Sequence, residues 1–240
     1  MKEKEYIFSK SYKCPVCDLG FKNLTVKQGK AKLDSTGIDL KPKYKDFEPL
    51  KYDVILCPYC GYAAIERYFE RVSARQKKDI KEKISKSYKS SFDEKETHTF
   101  EEGIVKYKLA VLSASVKMSK ESELGYLCLK LGWLYRSYKE SIEFLSEKYR
   151  ELEIQENNYL LKAYEYLYVA RTNEAFPVCG MDEMTFDCLL AGLAVELGKE
   201  EDAKKLVSMI LLSRTANKRI KEKARELKEI LMLDDDMELE

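Results

Sequence analysis

Cys14-Pro15-Val16-Cys17 and Cys57-Pro58-Tyr59-Cys60-Gly61 are two copies of one local pattern, separated by 39 residues. Two Cys-x-x-Cys turns brought together supply four thiolates at the corners of a tetrahedron, the closed coordination that a structural zinc ion prefers. Cys14, Cys17, Cys57 and Cys60 are therefore the expected ligands of one structural Zn2+. Four cysteines leave no open coordination position, so the expected metal is not catalytic. The spacing exceeds the roughly 15 to 20 residues usual between such knuckles, which predicts a ribbon with a long insertion.

The flanking sequence agrees. Residues 5 to 62 lack helical periodicity and hold four of the five prolines. Phe21 to Val26 and Tyr52 to Leu56 read as strands, with Asp34-Ser35-Thr36-Gly37 and Lys41-Pro42-Lys43 as turns or a loop between them. From Ala63 the period changes. Ile65, Tyr68, Phe69 and Val72 recur at helical spacing, and a Lys-rich helix is expected to continue through Ile80 and Ile84. Ser85 to Thr99 has neither period nor turn chemistry and reads as a linker, with His98 expected to be solvated.

Thr99 and Glu102 have the spacing of a capping box and open the next helix, whose expected buried stripe is Val105, Leu109, Leu112 and Val116. A more apolar helix follows from Ser122. Ile142, Leu145, Tyr149 and Leu152 are expected to continue helically, with an elongated loop or helix near residues 140 to 158, before a long helix through Leu160, Ala163, Leu167 and Ala170. Asp182 is placed to cap a helix ending near Leu197-Gly198, and two more helices precede the acidic Asp234-Asp235-Asp236. Leu131-Gly132-Trp133-Leu134-Tyr135 matches the Leu-Gly-x-x-Tyr core of a tetratricopeptide helix, and a second unit fits around Leu190, Ala191, Ala194 and Gly198. Phe144, Lys148 and Asp187 depart from that pattern.

The expected fold class is thus mainly α: a small β zinc-ribbon-like N-terminal module followed by an irregular tetratricopeptide-like α-helical hairpin array. The expected divisions are 1–62 for the module, 63–98 for a connecting helix and linker, 99–233 for the helical domain and 234–240 for an acidic tail.

Composition narrows the function. The 240 residues are 45% hydrophobic and 35% charged, enough to fill a core while keeping solvated helix faces. The start Met1-Lys2-Glu3-Lys4-Glu5 has no apolar signal region, and no stretch nears the roughly 20 apolar residues of a membrane helix. A cytoplasmic location is expected, where seven cysteines fit metal binding and burial better than disulfides. Residues 1 to 90 carry 21 Lys and Arg against 12 Asp and Glu, a net +9, and the remainder carries −8.

One histidine, no phosphate-cradling glycine loop and no nucleophile elbow argue against the common enzyme classes. A rival reading takes Cys57-Pro58-Tyr59-Cys60, between a strand and a helix, as a thiol-redox site with Cys57 as nucleophile. It leaves Cys14-Pro15-Val16-Cys17 unexplained and lacks a later proline near a strand to face the dithiol. Cys128 and Cys188 read as core residues. Cys179, in a turn, is the one further thiol worth testing for reactivity.

The tandem Cys-Pro-x-Cys pairs, the phrase Tyr52-Asp53-Val54-Ile55-Leu56-Cys57-Pro58-Tyr59-Cys60-Gly61-Tyr62-Ala63 and the helical Leu131-Gly132-Trp133-Leu134-Tyr135-Arg136 together resemble an uncharacterised bacterial domain-of-unknown-function family covering nearly the full chain. The resemblance implies a cytoplasmic bacterial protein with a zinc-ribbon-like start and tetratricopeptide-like helices. It carries metal ligands over to Cys14, Cys17, Cys57 and Cys60 and attaches no activity. The leading expectation is a non-enzymatic adaptor that binds a protein partner, or itself, through the helices. The alternative is nucleic-acid binding through Lys22, Lys27, Lys30, Lys32, Lys41, Lys43 and Lys45 of the ribbon.

Overall fold

Three separate β-hairpins build the N-terminal third of the computed structural model, which describes residues 2–89 and 96–237. Strands β1 (Ile7–Lys13) and β2 (Gly20–Val26) pair antiparallel and carry the first knuckle at their turn. Strands β5 (Val54–Leu56) and β6 (Ala63–Ile65) pair likewise around the second knuckle. Between them, β3 (Leu33–Thr36) and β4 (Pro42–Tyr44) form an arm hydrogen-bonded to neither of the other sheets. The segments expected as turns or loop are therefore this third hairpin. Its strands are short and largely exposed, so they carry almost no alternating pattern.

Ala63 to Ile65 is strand rather than helix start, because β6 pairs with β5 and all three of its side chains are buried. The helical period then resumes in pieces. A single turn, α1 (Glu66–Phe69), ends at residue 70, and α2 (Ala74–Ile80) restarts at a capping box in which Ser73 and Gln76 exchange bonds. A π turn, Lys81–Ser85, extends α2. The expected linker, Ser85 to Thr99, lies partly outside the described residues.

Helices α3 (Phe100–Val116), α4 (Glu121–Glu140), α5 (Glu147–Asn173), α6 (Glu183–Glu196), α7 (Glu200–Leu212) and α8 (Lys218–Met237) pack as successive hairpins. The molecule is mainly helical behind its small hairpins, as the sequence reading expects. Thr99 and Glu102 form the expected capping box, and Asp182 caps α6 by accepting from the Thr185 amide at 2.8 Å. Gly198 closes that helix at φ 65°. The expected acidic tail begins inside α8, and residues 238–240 lie outside the described residues.

Two helical expectations are corrected. On α3 the buried face is Ile104, Tyr107, Ala110 and Ala114, whereas Val105 and Leu112 are exposed. Small residues on the inner face let α3 lie directly on β5 and β6, and a Cβ on Gly103 would meet Leu134 and the Lys51 backbone. Leu145 is not helical: residues 141–146 form a loop with Leu145 at φ 60°, and Ser146 then caps α5 by accepting from the Tyr149 amide. Phe144 and Leu145 are exposed there, which explains why Phe144 breaks the repeat pattern.

Asp187, the other misfit, is fully buried and held by Arg171 at 2.5 and 2.9 Å, so a fork of charge replaces the apolar contact between α5 and α6. The main core runs from Leu50, Val54, Leu56 and Ala63 of the hairpins into Leu127, Leu131, Leu134, Leu167 and Leu190 of the helices.

Candidate metal centre and the surfaces around it

The two knuckles are built the same way. The Asp18 amide donates to the Cys14 carbonyl at 3.0 Å, and the Gly61 amide donates to the Cys57 carbonyl at 3.0 Å. The Cys14 amide donates to Leu19 O and the Cys57 amide to Tyr62 O, closing each loop from the other side. The residue after the second cysteine is left-handed in both, Asp18 at φ 62° and Gly61 at φ 74°. At Gly61 there is a second constraint: a Cβ would overlap the Tyr88 ring.

These turns bring Cys14, Cys17, Cys57 and Cys60 together with their sulfurs all within 4.8 Å of one another. Cys14 to Cys60 and Cys17 to Cys57 are each 3.6 Å apart. A tetrahedron of thiolates with metal–sulfur bonds near 2.3 Å has edges of about 3.8 Å, so the donor set fits one tetrahedral ion. The Val16 amide donates to Cys14 Sγ at 3.4 Å, a contact that favours a thiolate.

Charge explains the demand for a cation. Cys57 is pushed down to about 4, first by the hydrogen bond from Cys14 and next by that from Cys60. Cys14 and Cys60 are pushed up, led by the hydrogen bonds that hold their protons in the same cluster. A cation among the four sulfurs would take the place of the protons that Cys14 and Cys60 hold. The low value at Cys57 resembles a redox nucleophile, but Cys57 is fully buried and owes that value to the sulfurs of Cys14 and Cys60. A thiol that exchanges with a substrate disulfide must be reached by it.

The remaining thiols are quiet. Cys128 and Cys188 are core residues, as expected, and burial pushes them up to about 11 and about 12. Burial also pushes Cys179 up to about 11, and its sulfur bonds the Ser122 carbonyl at 3.3 Å. The Phe176–Pro177 peptide next to it is cis, in the turn joining α5 to α6.

His98 corrects an expectation. Rather than being solvated, it stacks on Tyr52 with ring centroids 5.1 Å apart, and its Nε2 lies 2.7 Å from Lys106 Nζ. Lys106 also donates to Asn23 Oδ1 at 3.2 Å, and burial pushes it down to about 8. This trio fastens β2 and the turn before β5 to α3. The sequence does not announce it, since Asn23 and Tyr52 lie far from His98 and Lys106 along the chain.

Lys41 leaves the expected basic surface altogether, being 2% exposed. Its carboxylate neighbour is Glu140 at 3.9 Å. Of the other ribbon lysines, Lys27 donates to the Glu5 carbonyl and Lys45 pairs with Asp34 at 3.5 Å, while Lys22, Lys30, Lys32 and Lys43 are exposed.

Lys41 is drawn inward because the tip of the β3–β4 arm, residues 37 to 41, is inserted among the helices. Asp39 is fully buried there and accepts from Trp133 Nε1 at 2.6 Å and from an Arg136 nitrogen at 2.9 Å. Its other oxygen accepts from the Lys41 amide at 3.0 Å, closing a tight turn. Arg136 also bonds Glu156 at 2.6 Å and grips Glu196 at 2.6 and 3.1 Å. Three carboxylates converge on this guanidinium, and Glu196 is pushed up to about 7, first by burial and then by the charge of Asp39.

The arm lies so close to α6 that a Cβ on Gly192 would overlap the Ile38 carbonyl. Arg219 and Lys223 of α8 reach Thr36 at 3.4 and 3.3 Å. The arm thus touches α4, α6 and α8 at once.

Comparison with known proteins places the chain. The model of the bacterial family DUF2225, described as an uncharacterized protein conserved in bacteria, matches residues 7–231. An uncharacterized protein of Borreliella burgdorferi (strain B31) is similar, 28% identical over 127 residues that cover 47% of this chain and 46% of the relative. The matched part thus spans less than half of that relative's length. No solved structure matches.

Proposed function

The chain belongs to the bacterial family DUF2225, and we propose that it is a non-enzymatic, zinc-stabilised adaptor that holds a protein segment on the inner face of its helices. The observation that carries this reading is the arm itself: the helices already grip a tight turn, residues 37 to 41, through one aspartate. Trp133 and Arg136 are the residue types that anchor interfaces, a flat indole donor and a forked cation. The partner is a segment presenting an aspartate in a tight turn.

Zinc is the metal proposed for Cys14, Cys17, Cys57 and Cys60, as a closed structural ion that keeps the small hairpins folded. The helical pairs α4–α5 and α6–α7 serve as irregular tetratricopeptide-like hairpins, with Gly132 set against Leu160 where a Cβ would collide. The cleft between hairpins and helices supports a non-enzymatic reading. Lys130 and Asp53 there bond each other, and Tyr107, fully buried behind them, also donates to Asp53. No helix of the described residues is long and apolar enough to cross a membrane.

The test replaces residues 37 to 41 by a Gly-Ser linker and adds a fluorescent peptide of sequence LDSTGIDLKPKY, residues 33–44, in trans. Saturable binding that is lost when the peptide aspartate equivalent to Asp39 becomes alanine supports the adaptor. A folded variant that ignores the peptide contradicts it.

A further inference from the structure

One strongly charged surface is used by neither the metal centre nor the arm. From Arg71 to Lys89 the chain carries eight Lys and Arg against Asp79 and Glu82, a net +6. The capping box at Ser73 fixes where this segment starts, and Gln76 Nε2 donates to the Lys117 carbonyl at 2.9 Å, tying it to α3. Its inner side is apolar: Ile80 and Ile84 pack among Cys14, Cys57, Cys60, Tyr62 and Phe69. The cysteine cluster is therefore the floor on which the segment rests. Its outer side is cationic, with Arg71, Arg75, Lys78, Lys81, Lys83 and Lys86 all exposed.

Among the described residues, those cations have few carboxylates within reach. Several surface lysines elsewhere meet carboxylates, as in Lys10 with Glu66, Lys148 with Glu151, Lys204 with Glu200 and Lys223 with Glu226. On this face, among the described residues, only Arg75 has a carboxylate within ion-pair reach, Asp79 at 4.0 Å. Unscreened like charges on one short segment repel one another, and a polyanion that releases its own counterions relieves that repulsion. The π turn at Lys81–Ser85, a rare geometry common at functional sites, lies in the middle of the row.

An exposed aromatic belongs to the knuckle that the segment packs against. Tyr59, at the tip of the second knuckle, is 59% exposed, and Gly61 two residues on lies against the ring of Tyr88 in the basic segment. Cations along one edge with an exposed ring next to them suit a strand of phosphates with an unpaired base. A duplex offers no free base to stack. An anionic bilayer asks for an apolar helix face to insert, and both isoleucines of this helix point inward.

We propose that the face formed by residues 71–89 and Tyr59 binds single-stranded nucleic acid, with phosphates on Lys78, Lys81, Lys83 and Lys86 and a base stacked on Tyr59. This surface is distinct from the ribbon lysines, and it does not rest on the adaptor reading.

The experiment is fluorescence anisotropy of the full chain with a labelled 20-nucleotide oligouridine, from 50 to 200 mM KCl. Four phosphate contacts at about 0.7 each give a log–log salt slope near −3. Changing Lys78, Lys81, Lys83 and Lys86 to Gln weakens binding about tenfold or more at 50 mM and flattens the slope. Tyr59→Ala weakens binding about fivefold or more with the slope kept, because stacking is uncharged. The triple change Lys22, Lys30 and Lys32 to Gln leaves binding intact. Equal metal content across the variants shows that each is folded. The proposal is overturned by absent RNA binding, by a helix variant that binds as the parent does, or by equal loss in the ribbon variant. Binding to phosphatidylglycerol vesicles or polyglutamate that oligouridine does not compete also overturns it.

Discussion

Gly192 shows how one side chain decides whether the arm is seated. Any Cβ there would overlap the Ile38 carbonyl, a backbone atom that cannot swing aside. Gly192→Ala is expected to cost about 1–3 kcal/mol, as overpacking does, and to raise proteolysis within residues 33–44 well above that of the parent. Urea unfolding and limited proteolysis measure the two effects.

Glu196 gives a pH signature. Its folded value near 7 stands above the ordinary carboxylate value of 4.5, so the folded state binds the proton more tightly than the unfolded one. Its contribution to stability is therefore full below about pH 4.5 and is lost as pH rises through about 7. Between pH 5 and 8 the parent should lose on the order of 2 kcal/mol relative to Glu196→Gln. Parallel pH dependence in the two proteins would refute that assignment.

At the scale of elements, the proposed zinc is what would hold together hairpins too small to fold by burial alone. Two three-residue strands and two seven-residue strands enclose Phe21, Ile55, Tyr62 and Phe69 around the cysteines. Removing the metal with a chelator is expected to melt this part first, exposing Ile80 and Ile84 and freeing α2, while α4 to α7 keep their helicity. Hydrogen exchange resolved by segment reads that order.

How legible each element was depended on where its partners lie. The cysteine cluster, the Thr99 and Asp182 caps and the apolar stripe of α4 were readable because their signals are local and repeat at fixed spacing. The buried face of α3 was misread because it is made of small residues, and Val105 and Leu112 formed a more apolar stripe on the wrong side. Asp39, Lys106 and His98 were unreadable as functional or structural groups, since Asp39 is defined by Trp133, Lys106 by Asn23 and His98 by Tyr52, each tens of residues away.

For the whole molecule, the metal centre is a joint between two faces. On one side it buttresses the Lys-rich segment through Ile80 and Ile84, and the chain then passes from β5 and β6 into the helical core through Val54, Leu56 and Ala63. The arm returns between the two knuckles to occupy the helices. In the proposed adaptor the cysteine cluster is a closed structural site, so the most direct test is a metal and thiol count on the full native chain. Elemental analysis should find about one zinc per chain. Ellman titration should leave Cys14, Cys17, Cys57 and Cys60 unreactive until a chelator is added. A metal-free folded chain in which Cys57 reacts at once would contradict the account.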